Sequence, residues 1–207
     1  MTGDSRRIGR TKKLLAEEVF QHLGTAIVNG DLAPNERIRD AELAVQLHVS
    51  RMPIREALQR LERIGLVTMY PSRYTEVTSV TDQVVADSHE FAAFQAGFVA
   101  RLAAARMTDA ERDTVSTLID ALDESIDEPV RYSLARKALF GRLSEFSGNA
   151  LQHQVLREVS MALARNLREL ASEDREEMLA LHRALRDALT TGDADAAEQV
   201  SRAIHEL

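Results

Sequence analysis

The segment of this chain best equipped for chemistry is Ser50–Arg60, SRMPIREALQR. Arg51 and Arg55 lie four residues apart and Gln59 four further on, so a helix would carry all three on one face. Long polar side chains so arranged can reach base edges or phosphates, and arginine can meet guanine with two parallel hydrogen bonds or clamp a phosphate. Ser50 can cap the start of that helix, where free N–H groups also favour an anion. Spacing alone fits an ordinary surface helix with charges at i and i+4 equally well. Upstream, Arg6, Arg7, Arg10, Lys12 and Lys13 form a basic arm that reads either as a solvated tail or as a grip on phosphates.

Other chemistry is sparse. The chain has no cysteine, which excludes disulfides, thiolate catalysis and cysteine-ligated zinc. It has no GxSxG, no HExxH and no glycine-rich phosphate loop, so neither an enzyme nor a cofactor is expected. His22, His89 and His153 stand at no ligand spacing and are given no role.

The elements that must position Ser50–Arg60 can be read from apolar periodicity. Leu15, Val19, Leu23, Ala26 and Ile27 predict a first amphipathic helix, with Gly30 at its end and a turn leading to Pro34. Asp40 is expected to cap a short second helix that turns Leu43, Ala44 and Leu47 inward. After the tight connection His48-Val49 comes the third helix. Its Ile54, Leu58 and Leu61 face the core, Pro53 sits harmlessly in the first turn, and Gly65 closes it. Leu66–Tyr70 and Tyr74–Thr78 read as strands joined through Pro71-Ser72-Arg73. Three helices followed by a hairpin is the order of a winged helix-turn-helix.

After Thr81 the pattern is helical throughout. A long alanine-rich helix over 82–106 carries Phe91, Phe94, Phe98 and Leu102, and Thr108 with Glu111 opens the next as a capping box. Pro129 restarts the chain, Ser147-Gly148-Asn149 breaks it, and helices follow over 151–167, Glu173–Leu189 and Asp193–His205. The expected fold is mainly α, with a winged helix-turn-helix over 1–80 and an all-α bundle over 81–207. The short junction at 79–81 implies mechanical coupling between the two.

Charge divides at the same point. The net charge of -7 splits into +2 for residues 1–80 and -9 for the remainder, as suits a DNA-facing part joined to an acidic partner domain. Hydrophobic residues make up 44%, enough for a core, while aromatics are 4% and tryptophan is absent, which favours helix. No apolar run approaches the ~20 residues of a bilayer span, and no apolar stretch follows the basic N-terminus. A cytoplasmic protein without a membrane partner is expected.

The stretch Glu42-Leu43-Ala44, Leu47 to Leu58, Leu61-Glu62 and Gly65-Leu66-Val67 closely resembles the DNA-binding domain of the GntR family over roughly residues 12–80. The resemblance implies that Arg51 and Arg55 contact DNA, with Ser50 capping and Arg73 reaching out from the wing. Ser50, Arg51, Met52, Arg55, Gln59 and Arg73 are therefore the expected DNA-binding residues. Three positions depart from the family: His48 replaces a usual glycine, Met52 a usual threonine, and Tyr74 follows Arg73 where glycine is common.

The second half resembles the FadR-like subgroup, whose FCD domain is a bundle of six or seven helices. The carrying residues are Phe140, Leu143, Ser147–Leu151, His182, Ala188, Gly192-Asp193 and Ala196-Ala197. Many members hold a metal between an aspartate, a histidine four residues later and two histidines on the last helices. Here those positions fall on Lys137, Gly141, His182 and Ile204, with His205 turned by about 100° from the last. One ligand of four cannot hold a metal, so none is expected. His182, Gly141 and Lys137 become candidates for a pocket taking a small organic effector, with His182 reading equally as a core histidine. The implied function is a homodimeric regulator, a repressor in sense, on a pseudo-palindromic double-stranded DNA operator. A dimeric DNA-binding protein with no effector and a helical metal-dependent enzyme are the alternatives.

Overall fold

The computed structural model describes residues 4–71, 73–168 and 174–206, the side chains of residues 4–13 and of Glu206 excepted. The chain divides into two units, Met1–Val80 and Thr81–Leu207.

In the first unit, α1 (Asp4–Asn29) buries Ala16, Val19, Phe20, Leu23, Ile27 and Val28 against α3 (Arg51–Arg63). The helix begins earlier than its apolar stripe, so the backbone of the basic arm belongs to α1, while the side chains of that arm lie outside the described residues. Between them lie β1 (Arg37–Ile38) and α2 (Asp40–Gln46). After α3, β2 (Val67–Tyr70) and β3 (Tyr74–Val77) form the wing. The antiparallel sheet has the order β1-β3-β2, with Ile38 opposite Thr75 and Tyr70 opposite Tyr74. β1 was not expected, since two residues carry no period.

Two side-chain bonds hold the wing to the end of α3. The Glu62 carboxylate accepts the Met69 N–H at 2.8 Å, and the Thr78 hydroxyl donates to the Gly65 carbonyl at 2.6 Å. Arg60 ties α3 to α1, its guanidinium 3.9 Å from the Phe20 ring centre and 2.6 Å from Glu17.

The second unit holds six helices among its described residues: α4 (Asp82–Arg106), α5 (Asp109–Ser125), α6 (Pro129–Phe146), α7 (Ala150–Asn166), α8 (Arg175–Thr191) and α9 (Ala194–Glu206). Each start has a local cause. Thr81 accepts the Val84 N–H, Thr108 and Glu111 complete the capping box, Pro129 takes the first helical position, and Asn149 and Asp174 cap α7 and α8. Glu173, expected to open α8, lies outside the described residues.

Small residues Ala92, Ala93, Ala96, Gly97, Ala100, Ala103 and Ala104 form the buried face of α4, which lets α9 lie close along it. A Cβ at Gly97 would stand 2.8 Å from the Arg202 side chain. Val99, Ile119, Leu122, Leu139, Leu143, Leu185, Leu189 and Ile204 build the core behind that contact. Arg112 donates to the carbonyls of Ala104, Leu189 and Thr190 and so closes the C-terminal end of α8. No helix among the described residues is long and apolar enough to cross a membrane.

Candidate nucleic-acid interface and bundle cavity

α3 owes its orientation to Pro53, Ile54, Ala57, Leu58 and Leu61, all buried. At about 1.5–3 kcal/mol for each fully buried aliphatic side chain, the helix cannot roll by one residue. Arg51, Met52, Arg55 and Gln59 are consequently exposed on the opposite face. Ser50 occupies the N-cap position with extended backbone angles, yet its hydroxyl accepts no capping hydrogen bond. Arg51 has no ion pair or hydrogen-bond partner for its side chain among the described residues, whereas Arg55 Nε donates to Asp40 at 3.1 Å. Asp40 is thus not the cap of α2. Arg39 takes that position, and Asp40, inside the first turn, spends its carboxylate on Arg55.

At the wing, Arg73 is exposed and its N–H donates to the Tyr70 carbonyl at 3.0 Å. Ser72 beside it lies outside the described residues. The Tyr70 and Tyr74 rings are 4.8 Å apart, and the Arg37 guanidinium carbon lies 4.1 Å from the centre of Tyr74. An aromatic with an arginine stacked on it therefore stands where a glycine was expected.

The second unit holds a partly open cavity of about 250 Å³ between α6 and α7, completed by Ala92 of α4 and His205 of α9. Lys137 and Gly141 are on its wall, and around Gly141 a Cβ would meet nothing within 4 Å. His182 is not on that wall. It is fully buried between α5 and α6, where Nδ1 donates to Asp123 at 2.7 Å and Nε2 accepts from the Tyr132 hydroxyl at 2.9 Å. Burial lowers the His182 pKa and outweighs the opposing pull of Asp123, so the imidazole is neutral with its proton on Nδ1.

Four polar residues that the sequence reading did not assign to a pocket line the cavity: Arg136 and Arg157, together with His153 and His205, which had been given no ligand role. Arg136 shares a face of α6 with Ser133, Phe140 and Ser144, and that polar stripe at steps of three and four was the available signal. His205 donates from Nδ1 to the Ser201 carbonyl at 2.9 Å and meets the Phe140 ring edge-on at 4.8 Å. Burial, then the neighbouring Arg136, holds its pKa well below the usual histidine value. His153 hydrogen-bonds Ser144 at 3.1 Å.

Together these residues do not fit the metal that the FCD resemblance implies. Lys137 brings an ammonium where a carboxylate would ligate, His182 faces elsewhere, and among the described residues no three His, Asp or Glu side chains converge.

Residues 15–77 match the family "Bacterial regulatory proteins, gntR family", and residues 96–206 match the FCD domain. The Nta operon transcriptional regulator of Aminobacter aminovorans is 38% identical over 92 residues, 44% of this chain and 44% of that protein. The first relatives are thus matched over less than half of their own length. A protein of Paenarthrobacter nicotinovorans named "Probable D-xylose utilization operon transcriptional repressor" is 25% identical over 209 residues, covering 96% of this chain and 88% of its own. In fold, the solved structure of E. coli McbR/YncC aligns over 93% of each chain with a TM-score of 0.77 at 18% identity. With both domains matched in order along its length, the chain belongs to the GntR family of DNA-binding transcriptional regulators and carries the FCD domain of its FadR-like members.

Proposed function

We propose that the chain is a homodimeric repressor that grips a pseudo-palindromic operator through two winged-helix units and answers to a small organic effector held in its C-terminal bundle. In this reading residues 1–80 bind DNA and residues 81–207 sense and dimerise. The observation that carries it is the outer stripe of α3, where Arg51, Met52, Arg55 and Gln59 stand exposed behind a fully packed inner face. A helix so presented can enter the major groove. Arg51 and Arg55 then read guanine or clamp phosphate, Met52 lies against thymine methyls, and Ser50 and Arg73 hold the backbone from the helix start and the wing.

Dimerisation is supported by an apolar surface on two packed helices of the second unit: Phe91 and Phe94 on α4, Leu151 and Val155 on α7, all exposed in the single chain. A two-fold mate covering that surface would duplicate the recognition helix and demand matching half-sites. The repressor sense follows the relative named for the xylose operon. Lys137 and Gly141 belong to the effector cavity, and an effector that prefers one state of the dimer changes operator affinity by that preference. DNA as the partner sets the place of work in the cytoplasm.

Fluorescence anisotropy on the promoter beside its own gene tests the reading. Arg55→Ala is expected to lose about 1–3 kcal/mol, or roughly 5- to 150-fold, on the operator. Equal binding of operator and random duplexes, with Arg55→Ala indistinguishable from the unmodified chain, would remove it.

A further inference from the structure

The outer face of the three-stranded sheet carries a second grip on DNA: we propose that Arg37 of β1, laid on the Tyr74 ring, clamps a backbone phosphate beside the groove that α3 enters. The proposal rests on the DNA-binding reading of α3. It adds a contact residue, Arg37, and a positioning residue, Tyr74.

Alternation along the strands sets the face. Ile38, Thr75 and Val77 turn inward and are buried, so Arg37, Tyr74 and Glu76 lie on the outer side, with Tyr70 paired to Tyr74 from β2. In the order β1-β3-β2, Arg37, Tyr74 and Tyr70 therefore stand side by side across the three strands. The Arg37 guanidinium carbon is 4.1 Å from the centre of the Tyr74 ring, and the Tyr70 ring supports Tyr74 from the other side at 4.8 Å. A guanidinium stacked in this way is already oriented, and its N–H edge stays open to a phosphate oxygen. With glycine in place of Tyr74 the ring it rests on would be missing.

The charge of Arg37 is uncompensated. Three other arginines of this unit are held by carboxylates: Arg39 by Glu42 at 3.0 Å, Arg55 by Asp40 at 3.1 Å and Arg60 by Glu17 at 2.6 Å. Arg63 lies in the last turn of α3, where the helix dipole favours a cation. Arg37 is exposed and makes no ion pair or hydrogen bond among the described residues, although Glu76 stands opposite it in the β1–β3 register. The guanidinium lies over the ring instead of on that carboxylate. Its place also fits. Arg55 on the outer stripe of α3 holds Asp40, three residues after Arg37, and three residues of extended chain span at most about 11 Å. At ~3.4 Å of duplex axis per phosphate of one strand, Arg37 is within about three phosphates of the α3 contact. Arg73, exposed next to Tyr74, continues the cationic line toward the wing tip.

The test titrates the full chain onto the promoter beside its own gene and onto a random duplex, by fluorescence anisotropy between about 50 and 200 mM salt. Each phosphate contact contributes about 0.9 to the slope of log affinity against log salt, or about 3.5-fold over that range. Arg37→Gln should weaken both duplexes by the same factor at the low-salt end and reduce the slope by about 0.9 for each bound chain. Arg37→Lys keeps the charge and should retain the slope. Tyr74→Leu also keeps the charge but removes the support, so binding should weaken with the slope retained. Arg37→Met, whose stem still covers the ring, gives the same readout if Arg37→Gln does not fold. An unchanged slope in the uncharged Arg37 variant, with or without a lower melting temperature, would overturn the proposal. A loss confined to the promoter, or Tyr74→Leu binding as tightly as the unmodified chain, would do the same. Selectivity lost in Arg55→Ala with no effect of Arg37→Gln sinks the clamp alone, and no selective binding by the unmodified chain sinks the α3 reading with it.

Discussion

Replacing His48 by glycine should stabilise the winged-helix unit by about 0.5–1 kcal/mol, the balance of a steric gain and an entropic loss. α2 and α3 end in the same hydrogen-bonded motif. After α2, Val49 N donates to Ala44 O at 3.0 Å and His48 N to Val45 O at 3.3 Å; after α3, Leu66 N donates to Leu61 O at 2.9 Å and Gly65 N to Glu62 O at 3.0 Å. In this double closure the residue just past the cap must be left-handed. Accordingly φ is +75° at Gly65 and +53° at His48. For a residue with a Cβ that conformation costs about 1–2 kcal/mol, and glycine escapes it. Glycine in turn loosens the unfolded chain, which returns about 0.4–1 kcal/mol.

Nothing else should change, because the His48 side chain is exposed and makes no hydrogen bond among the described residues. For a unit of this size the net gain corresponds to roughly 2–8 °C. Scanning calorimetry of the full chain would measure it, with His48→Ala as the control that keeps the Cβ and so gains nothing. A glycine variant that melts no higher than the unmodified chain, or an alanine variant that matches it, would refute the steric argument. Operator affinity measured on the same samples shows separately whether His48 also touches DNA.

Asp40→Asn removes the carboxylate 3.1 Å from Arg55 Nε that fixes the guanidinium. The ratio of operator to random-duplex affinity should narrow, measured at one salt concentration, and an unchanged ratio would assign Asp40 a purely local role. The C-terminal unit should lose stability as pH falls. His182 and His205 both have pKa values lowered in the folded chain, so the unfolded chain binds the extra protons. Their contribution is full above the unfolded value of about 6.5 and declines below it. A urea midpoint that rises between pH 7 and 5.5 would contradict this. The double variant Phe94→Glu, Val155→Glu places charges on the exposed apolar face and should convert a dimer to a monomer in sedimentation velocity.

In the first unit most of the arrangement could be read from the chain. The residues that face inward from α3 recur at i, i+4 and i+7, and once Ile54, Leu58 and Leu61 are buried the exposed face has no freedom left. What escaped was tertiary or too short to have a period. β1 is two residues long and exists only because β3 offers it an edge. Asp40 has the type and place of a cap, but its partner Arg55 is fifteen residues away and no spacing rule relates them. Ser50 likewise has the right residue and backbone for a cap and forms no such bond.

The bundle was harder to read. Ile204 and His205 are adjacent, and on a helix one step is about 100°, so locating the polar one required knowing the phase of α9 against its neighbours. The structure settles that phase: Ile204 enters the core and His205 faces the cavity. His182 has an even less local origin, since its two partners come from α5 and α6 and together convert a would-be ligand into a satisfied core residue. Arg136 is the extreme case. A lone arginine among alanines and leucines reads as a residue on the solvated side of its helix, and Lys137 beside it strengthens that impression. Its burial is a tertiary fact, and the spacing of α6 alone does not settle it. A search for histidine and aspartate ligands therefore passes over this residue, because its burial is set by how α6 packs against its neighbours.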